Sequence, residues 1–352
     1  MGQKSGELKQ PDRRALLARI PAFPPIVLRL LDLLARDDVE IRELVALISS
    51  DPAFSAQILR VANSPLFGFR ARIDSLQSAL VVLGLRRVRS LSMTVATANH
   101  MKAALCVEEL SRCWRHMLAC ALLTDELARS CGVFEERAYT AGLLHDIGRL
   151  GLLLASPNEY AKLLRNSGRN VLELLDCERE ALGMDHCEAG RLLAEQWSLP
   201  ADFQIIAARH HDPQSNSNVD LLTLVHLGCR LADSLGFWVV EPIQPCSPEE
   251  IQAALPRLLA QKLRIDAPRW RQSVEQRIRC YSDPDSLVEE ELPTAIEPFG
   301  EEIEVPVDAL ARLRLPDPNE GSSTGIELMK LVMIGLFFTV LIVAVTFFIV
   351  KK

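Results

Sequence analysis

Aromatic residues are scarce in this 352-residue chain: Phe, Trp and Tyr make up 5 % of it, against 49 % hydrophobic residues in all. Leu and Ala carry the apolar content, a composition that suits a helical protein. No stretch alternates apolar and polar residues convincingly, so no strand is expected, and no internal repeat recurs. The nine cysteines include no CxxC pair. Cys106, Cys113, Cys120 and Cys131 lack the ligand spacing of a zinc finger. Odd in number and scattered, they read as buried small hydrophobes in a reducing compartment. An apolar h-region is missing from the polar, basic first residues, so no signal peptide is expected. Positive charge is not in excess: the net charge is −7, which disfavours nucleic acid as a partner. Receiver, kinase and cyclase modules are also absent. The length allows one large or two modest domains.

What the chain does hold is GLLHDIGRL, Gly142 to Leu150. Read as part of one helix from Glu135 to Leu154, Leu143, Leu144, Ile147 and Leu150 form an inward stripe. His145 and Asp146 then lie near the core. A buried carboxylate needs an ion pair, hydrogen bonds or a metal. His116 upstream, and His186, His210, His211 and Asp233 downstream, are candidate partners that could converge from several helices on a divalent cation. His210 and His211 are neighbours in a helix over 201–211, so they should point about 100° apart and only one should face such a site. Their alternative is a helix-end cap on the dipole. His100 and His226 read as core histidines with one hydrogen bond each.

The first 15 residues read as frayed. Pro21, Pro24 and Pro25 precede a helix, with Pro25 in its first turn. A second helix runs from Ile41 to Ser49. Asp51 and Pro52 read as N-cap and first residue of a third, stopped at Asn63-Ser64-Pro65. Ile73 to Leu83 is helical and ends at Gly84, and Val88 to Ala104 follows. Arginines 70, 72, 86, 87 and 89 in this region read as a solvated face ion-paired to local acids. A contact surface for an anionic partner is the alternative. Further helices are expected over 114–130, 159–166, 171–197 with a break at Gly183, and 221–235. Ser247-Pro248-Glu249-Glu250 starts a helix with cap, proline and first-turn acids together. Short helices continue to Tyr281.

Asp283 to Glu304 holds nine acidic residues and no Lys or Arg, and prolines punctuate the chain to 318. This reads as an extended linker. Leu331 to Val350 is uncharged and long enough, at about 30 Å as a helix, to cross a bilayer. Lys330, Lys351 and Lys352 flank it. With no signal peptide to export the bulk of the chain, the amino-terminal part is expected in the cytoplasm.

Two sets of motifs carry a resemblance. One is IPAFPP, SSDPAFSAQILRVANSPLFG and IDSLQSALVVLGLRRVRSL. The other is GLLHDIGRL, MDHCEAGRLLAEQWSLP and HHDP. In order and spacing they resemble the bacterial HDOD domain, a relative of HD-type metal-dependent phosphohydrolases, over residues 18 to about 240. The resemblance implies an all-α domain with an N-terminal helical lobe (18–105) and an HD-like lobe (106–240), extended by trailing helices (247–281). It also implies a signalling role, most such domains being regarded as regulatory or scaffolding. From the HD relatives it implies a metal set of His116, His145, Asp146 and Asp233. The HD-GYP phosphodiesterase branch would add His186, His210 and His211, with Asp146 bridging two metals. Two positions depart from that branch. Arg149 stands where it has Lys, and Asp212-Pro213 with a Gln-Ser-Asn-Ser-Asn loop stands where its GYP signature would follow. Arginine keeps the charge but not the compact point contact.

The resulting expectation is a two-lobed helical HDOD domain over 18–282, a linker over 283–328 and a single-pass tail anchor over 329–352 in the bacterial inner membrane. It would act on signalling proteins by contact, with self-association open, and no residue is assigned to catalysis. A metal-dependent phosphohydrolase acting on a nucleotide or cyclic dinucleotide is the alternative, with Fe, Mn or Zn as the divalent ion. Asp146 is expected to hold a neighbouring imidazole, that of His116, in one tautomer.

Overall fold

The computed structural model describes residues 17, 20, 23–34, 41–67, 72–101, 108–134, 137–166, 171–212, 219–243 and 246–282. The acidic linker, the apolar segment 331–350 and residues 1–16 lie outside the described residues. The protein is all-helical, with no strand among the described residues.

The first group of helices is α1 (Pro25–Leu34), α2 (Ile41–Ser49), α3 (Pro52–Ala62) and α4 (Leu76–Met101). Local chemistry sets their ends as the sequence requires. The Asp51 carboxylate accepts from the backbone N–H groups of Ala53 and Phe54 at 2.9 and 3.1 Å, and Pro52 takes the first helical position. Such a cap contributes about 1 kcal/mol. Beyond α3, Asn63 clamps the following loop from both sides. Its amide donates to the Ile73 carbonyl and accepts from the Ile73 N–H, each at 2.7 Å. α4 is broken at Gly84, whose φ of 79° and ψ of 158° no side-chain-bearing residue holds cheaply. The break expected there is present.

The second group is built around α5 (Glu108–Cys131). Leu110, Met117, Leu118, Leu123 and Leu127 are all buried to 2 % exposure or less. Each fully buried side chain of this size contributes about 1.5–3 kcal/mol, so α5 is the element the fold can least lose. Around it lie α6 (Ala138–Leu144), α7 (Ile147–Ala155), α8 (Pro157–Asn166), α9 (Val171–Leu182), α10 (His186–Gln196), α11 (Ala201–Arg209) and α12 (Leu221–Ser234). Then come α13 (Pro248–Ala254), α14 (Arg257–Lys262) and α15 (Ala267–Ser282). The capping box at Ser247 and Glu250 is formed in full. The trailing segment holds three helices because Pro256 and the stretch 263–266 interrupt it.

α15 ties the groups together. Arg115 on α5 pairs with Glu275 at 3.0 Å, and Cys280 hydrogen bonds with Ser64 beyond α3. Thr94 on α4 meets the Tyr139 hydroxyl on α6 at 2.5 Å. Of the basic residues noted in the first group, Arg86 is paired with Asp125 on α5 at 2.9 Å and Arg89 is buried. For these two the arginines serve the fold. Among the described residues no helix is long and apolar enough to cross a membrane.

Candidate metal centre

The single helix expected over 135–154 is instead two. α6 ends at Leu144, His145 and Asp146 form the turn, and α7 begins at Ile147. Asp146 leaves the helical region with φ −108° and ψ 24°. In a continuous helix, neighbouring side chains diverge by about 100°. The turn lets both enter one space. A close crossing holds it there. A Cβ on Gly148 would overlap the His186 carbonyl oxygen and crowd the Gly190 N–H, so only glycine lets α7 lie directly on the start of α10.

Four imidazoles reach this space with their Nδ1 atoms already tethered. His116 Nδ1 is 2.8 Å from the Phe237 carbonyl, His145 Nδ1 2.6 Å from that of Gly142, and His210 Nδ1 3.2 Å from that of Ile206. His186 Nδ1 lies 2.7 Å from the Glu178 carboxylate. A carbonyl can only accept, so Nδ1 carries the proton in the first three. Burial pushes His116, His145 and His210 below the ordinary imidazole range, which keeps them neutral. Their Nε2 atoms therefore present bare lone pairs. His145 Nε2, His210 Nε2 and Asp146 Oδ1 are buried without a hydrogen-bond partner among the described residues. Each such orphan costs about 1–3 kcal/mol. One ligand atom from each of His145, Asp146 and His210 fits within 4.8 Å of the others. A divalent cation fits this set of neutral nitrogens and one carboxylate oxygen, and would satisfy all three atoms at once.

On the other side of Asp146 the site is closed by charge. Arg149 donates from Nε to Asp146 Oδ2 at 2.7 Å, and from Nη1 to Glu178 Oε1 at 3.1 Å and to the Tyr160 hydroxyl at 3.2 Å. Tyr160 donates to the same Glu178 oxygen at 2.7 Å, and the His186 N–H donates to Oε2 at 2.8 Å. Burial would raise the Asp146 carboxyl, but Arg149 and the imidazoles outweigh it and hold it well below the usual range. Burial is likewise overcome at Glu178, where His186 and Arg149 bring the carboxyl down to about 2. Burial and the Arg149 charge oppose a protonated His186, yet Glu178, Cys187 and Asp146 together outweigh them and raise it to about 10. The cationic ring donates from Nε2 to His211 Nε2, 3.0 Å away. Two anions and two cations thus neutralise one another in the core.

Of the residues singled out in the sequence, His116, His145, Asp146, His186, His210 and His211 meet here. Both His210 and His211 take part, against the expectation of one. α11 stops at Arg209; His210 is its cap, still in the helical region at φ −61° and ψ −18°, and His211 lies in the turn beyond. Asp233 stands apart from the ligand groups. Its carboxylate lies 3.5 Å from His116 Nδ1, behind the ring, and Cys229 one turn earlier on α12 faces Nε2 instead. Nor does Asp146 hold His116: its partner is Arg149, and the Phe237 carbonyl orients His116. His226, expected as a core histidine, has its one bond at 2.8 Å to the His210 carbonyl. Glu178, Tyr160 and Cys229 were not singled out. A signal for Glu178 existed: with Leu174, Leu175 and Leu182 it sits on the buried stripe of α9, where an acid demands a partner.

Comparison with known proteins agrees with this architecture. The HDOD domain model matches residues 20–213, more than half of the chain. An uncharacterized protein of Treponema pallidum (strain Nichols) is 28 % identical over 197 residues, covering 55 % of this chain and 38 % of that protein. The chain thus matches well under half of that relative's length. Among solved structures, an HDOD domain protein of unknown function from Geobacter sulfurreducens superposes with a TM-score of 0.62 at 23 % identity, over 78 % of this chain and 98 % of that one. A candidate signal transduction protein from Marinobacter aquaeolei VT8 gives 0.61 at 21 % identity, over 76 % and 64 %. A candidate phosphohydrolase from Shewanella amazonensis SB2B gives 0.56 at 22 %, over 78 % and 97 %. These three likenesses establish the fold.

Proposed function

The chain belongs to the HDOD domain family, and from that premise we propose that it is a regulatory protein of bacterial signalling that works by protein contact. On this reading the HD-type centre holds the domain together rather than turning over a substrate. The observation that carries the proposal is the closure of the centre. His145, Asp146, His186 and His210 are each at most 2 % exposed. His211 at the edge of the centre is partly exposed, and a phosphodiester would have to bring a charged, hydrated group past it to atoms that solvent does not reach.

A divalent ion held by His145, Asp146 and His210 would supply Lewis acidity and a bound water of lowered pKa. The chain's own residues set limits on its use. Arg149 and Glu178 occupy the second oxygen of Asp146 and the Nδ1 of His186, so neither group is free to hold a phosphate or move a proton. Residues 331–350 would place the domain at the inner face of the cytoplasmic membrane, with the acidic stretch 283–328 as its tether.

The alternative, a metal-dependent phosphohydrolase acting on a nucleotide or cyclic dinucleotide, draws on the unpartnered Nε2 and Oδ1 atoms, since a ligand set of this kind suits hydrolysis as well as structure. The deciding experiment assays the full chain in native membranes, loaded in turn with Mn, Fe and Zn, against cyclic dinucleotides and nucleoside triphosphates. The regulatory reading expects retained metal and no turnover. Hydrolysis that disappears in His145→Ala would make the protein an enzyme.

A further inference from the structure

We propose that Cys229 is a metal ligand in this protein, and that its thiolate makes one half of the centre a zinc-type site. The proposal rests on the reading of the centre as metal-binding and adds the identity of a donor and the class of ion. Cys229 lies on α12, where a helical thiol in an apolar stripe would ordinarily be no more than a small hydrophobe. Its sulfur is placed otherwise. It is 3.5 Å from His116 Nε2, the bare nitrogen of a ring whose Nδ1 is fixed on the Phe237 carbonyl. With one atom each from His116 and His145, it forms a ligand group within 4.8 Å. His145 Nε2 is the orphaned nitrogen also available to Asp146 and His210. These two ligand groups therefore share His145, and only the one with His116 includes sulfur; a third group, of His186, Cys187, His210 and His211, holds the other thiol.

Geometry and softness agree. A tetrahedral zinc with Zn–S about 2.3 Å and Zn–N about 2.05 Å holds its sulfur and nitrogen about 3.5 Å apart. An S–H···N hydrogen bond in the ion-free protein has a similar length, so the present contact needs little movement to become a shared coordination edge. On binding, the S–H bond breaks heterolytically. The sulfur keeps the electron pair that forms the S–metal bond, and one proton leaves to solvent. Thiolate favours zinc and other borderline-soft ions over manganese and magnesium.

Cobalt(II) is the probe, because a thiolate bound to it gives a near-ultraviolet charge-transfer band that nitrogen and oxygen donors do not. The full chain, purified ion-free in detergent, is titrated with Co²⁺. Wild type should show the band at one equivalent. Cys229→Ser should lose it while still taking up cobalt, and Cys187→Ser, which removes the thiol beside His186, should keep it. In competition, the preference for zinc over manganese should fall about tenfold or more in Cys229→Asp, where oxygen replaces sulfur. Cobalt uptake by wild type without the band would overturn the inference and leave the metal centre standing, as would a band lost with Cys187→Ser and kept in Cys229→Ser. No cobalt uptake at all would overturn both. The wild-type spectrum alone decides the first and last of these cases, and loss of the band in Cys229→Asp assigns the sulfur if Cys229→Ser fails to fold.

Discussion

Glu178 is the residue on which most of the buried chemistry converges, taking bonds from Arg149, Tyr160 and His186. Removing one charge from a buried, mutually neutral set leaves the others uncompensated, at a cost of about 3–5 kcal/mol. Glu178→Gln should lose about that much stability in urea denaturation; a loss below about 1 kcal/mol would mean that the network is not structural. Glu126 on α5 is a different case. Burial, opposed by Arg129 and Arg277, pushes its carboxyl up from 4.5 to about 7. The folded state then binds a proton that the unfolded state has released across that interval. Glu126 therefore contributes stability that is complete below about pH 4.5 and lost as the pH rises through 7, about 3 kcal/mol in all. Because Asp146 and Glu178 are shifted the other way, the effect is read as a difference. Wild type should lose stability relative to Glu126→Gln between pH 4.5 and 7, and parallel curves would refute the assignment.

At the scale of elements, the crossing of α7 on α10 sets the site. Gly148→Ala places a methyl group against backbone on the facing helix, where no side-chain rotamer can give way. The two helices must separate, moving Asp146 from His186. The expected cost is about 3 kcal/mol or more, the upper end of overpacking, together with loss of bound metal. Thermal unfolding and metal content test it, and a variant as stable and as metalled as wild type would show that the contact is soft. Features of this local kind are also the ones legible in the sequence. The cap at Asp51, the capping box at Ser247 and the breaks at Gly84 and Gly183 each follow from a residue acting on its own backbone. The turn at His145 and Asp146 was not legible, because the apolar period runs through Leu144 and Ile147 unbroken and gives no sign of a stop. The pairing of Asp146 with Arg149 was open to either reading, since residues three apart are neighbours on a helix as well. The place of Cys229 depends on how α12 is rotated against α5, which no local pattern encodes.

For the whole molecule, the sequence proposes a domain on a tether. Deleting residues 326–352 should move the protein from the membrane to the soluble fraction, and a truncated chain that still resists carbonate extraction would place the attachment elsewhere. Limited proteolysis should cut first between 283 and 325 and leave a stable fragment ending near Tyr281; protection there equal to that of residues 142–154 would exclude a tether. The way α5 is covered bears on something else, the making of the protein. Two of its partners come late: Phe237 meets His116 from 121 residues downstream, and Glu275 meets Arg115 from 160. At about 5–20 residues per second of synthesis, α5 waits about 8–32 s on the ribosome for the helix that completes its cover. During that interval α6 and then α12 can pack on it, but the face that meets α15 has no native partner. Nascent chains arrested before Ala267 should therefore be the ones that chaperones hold, and release should follow translation of α15.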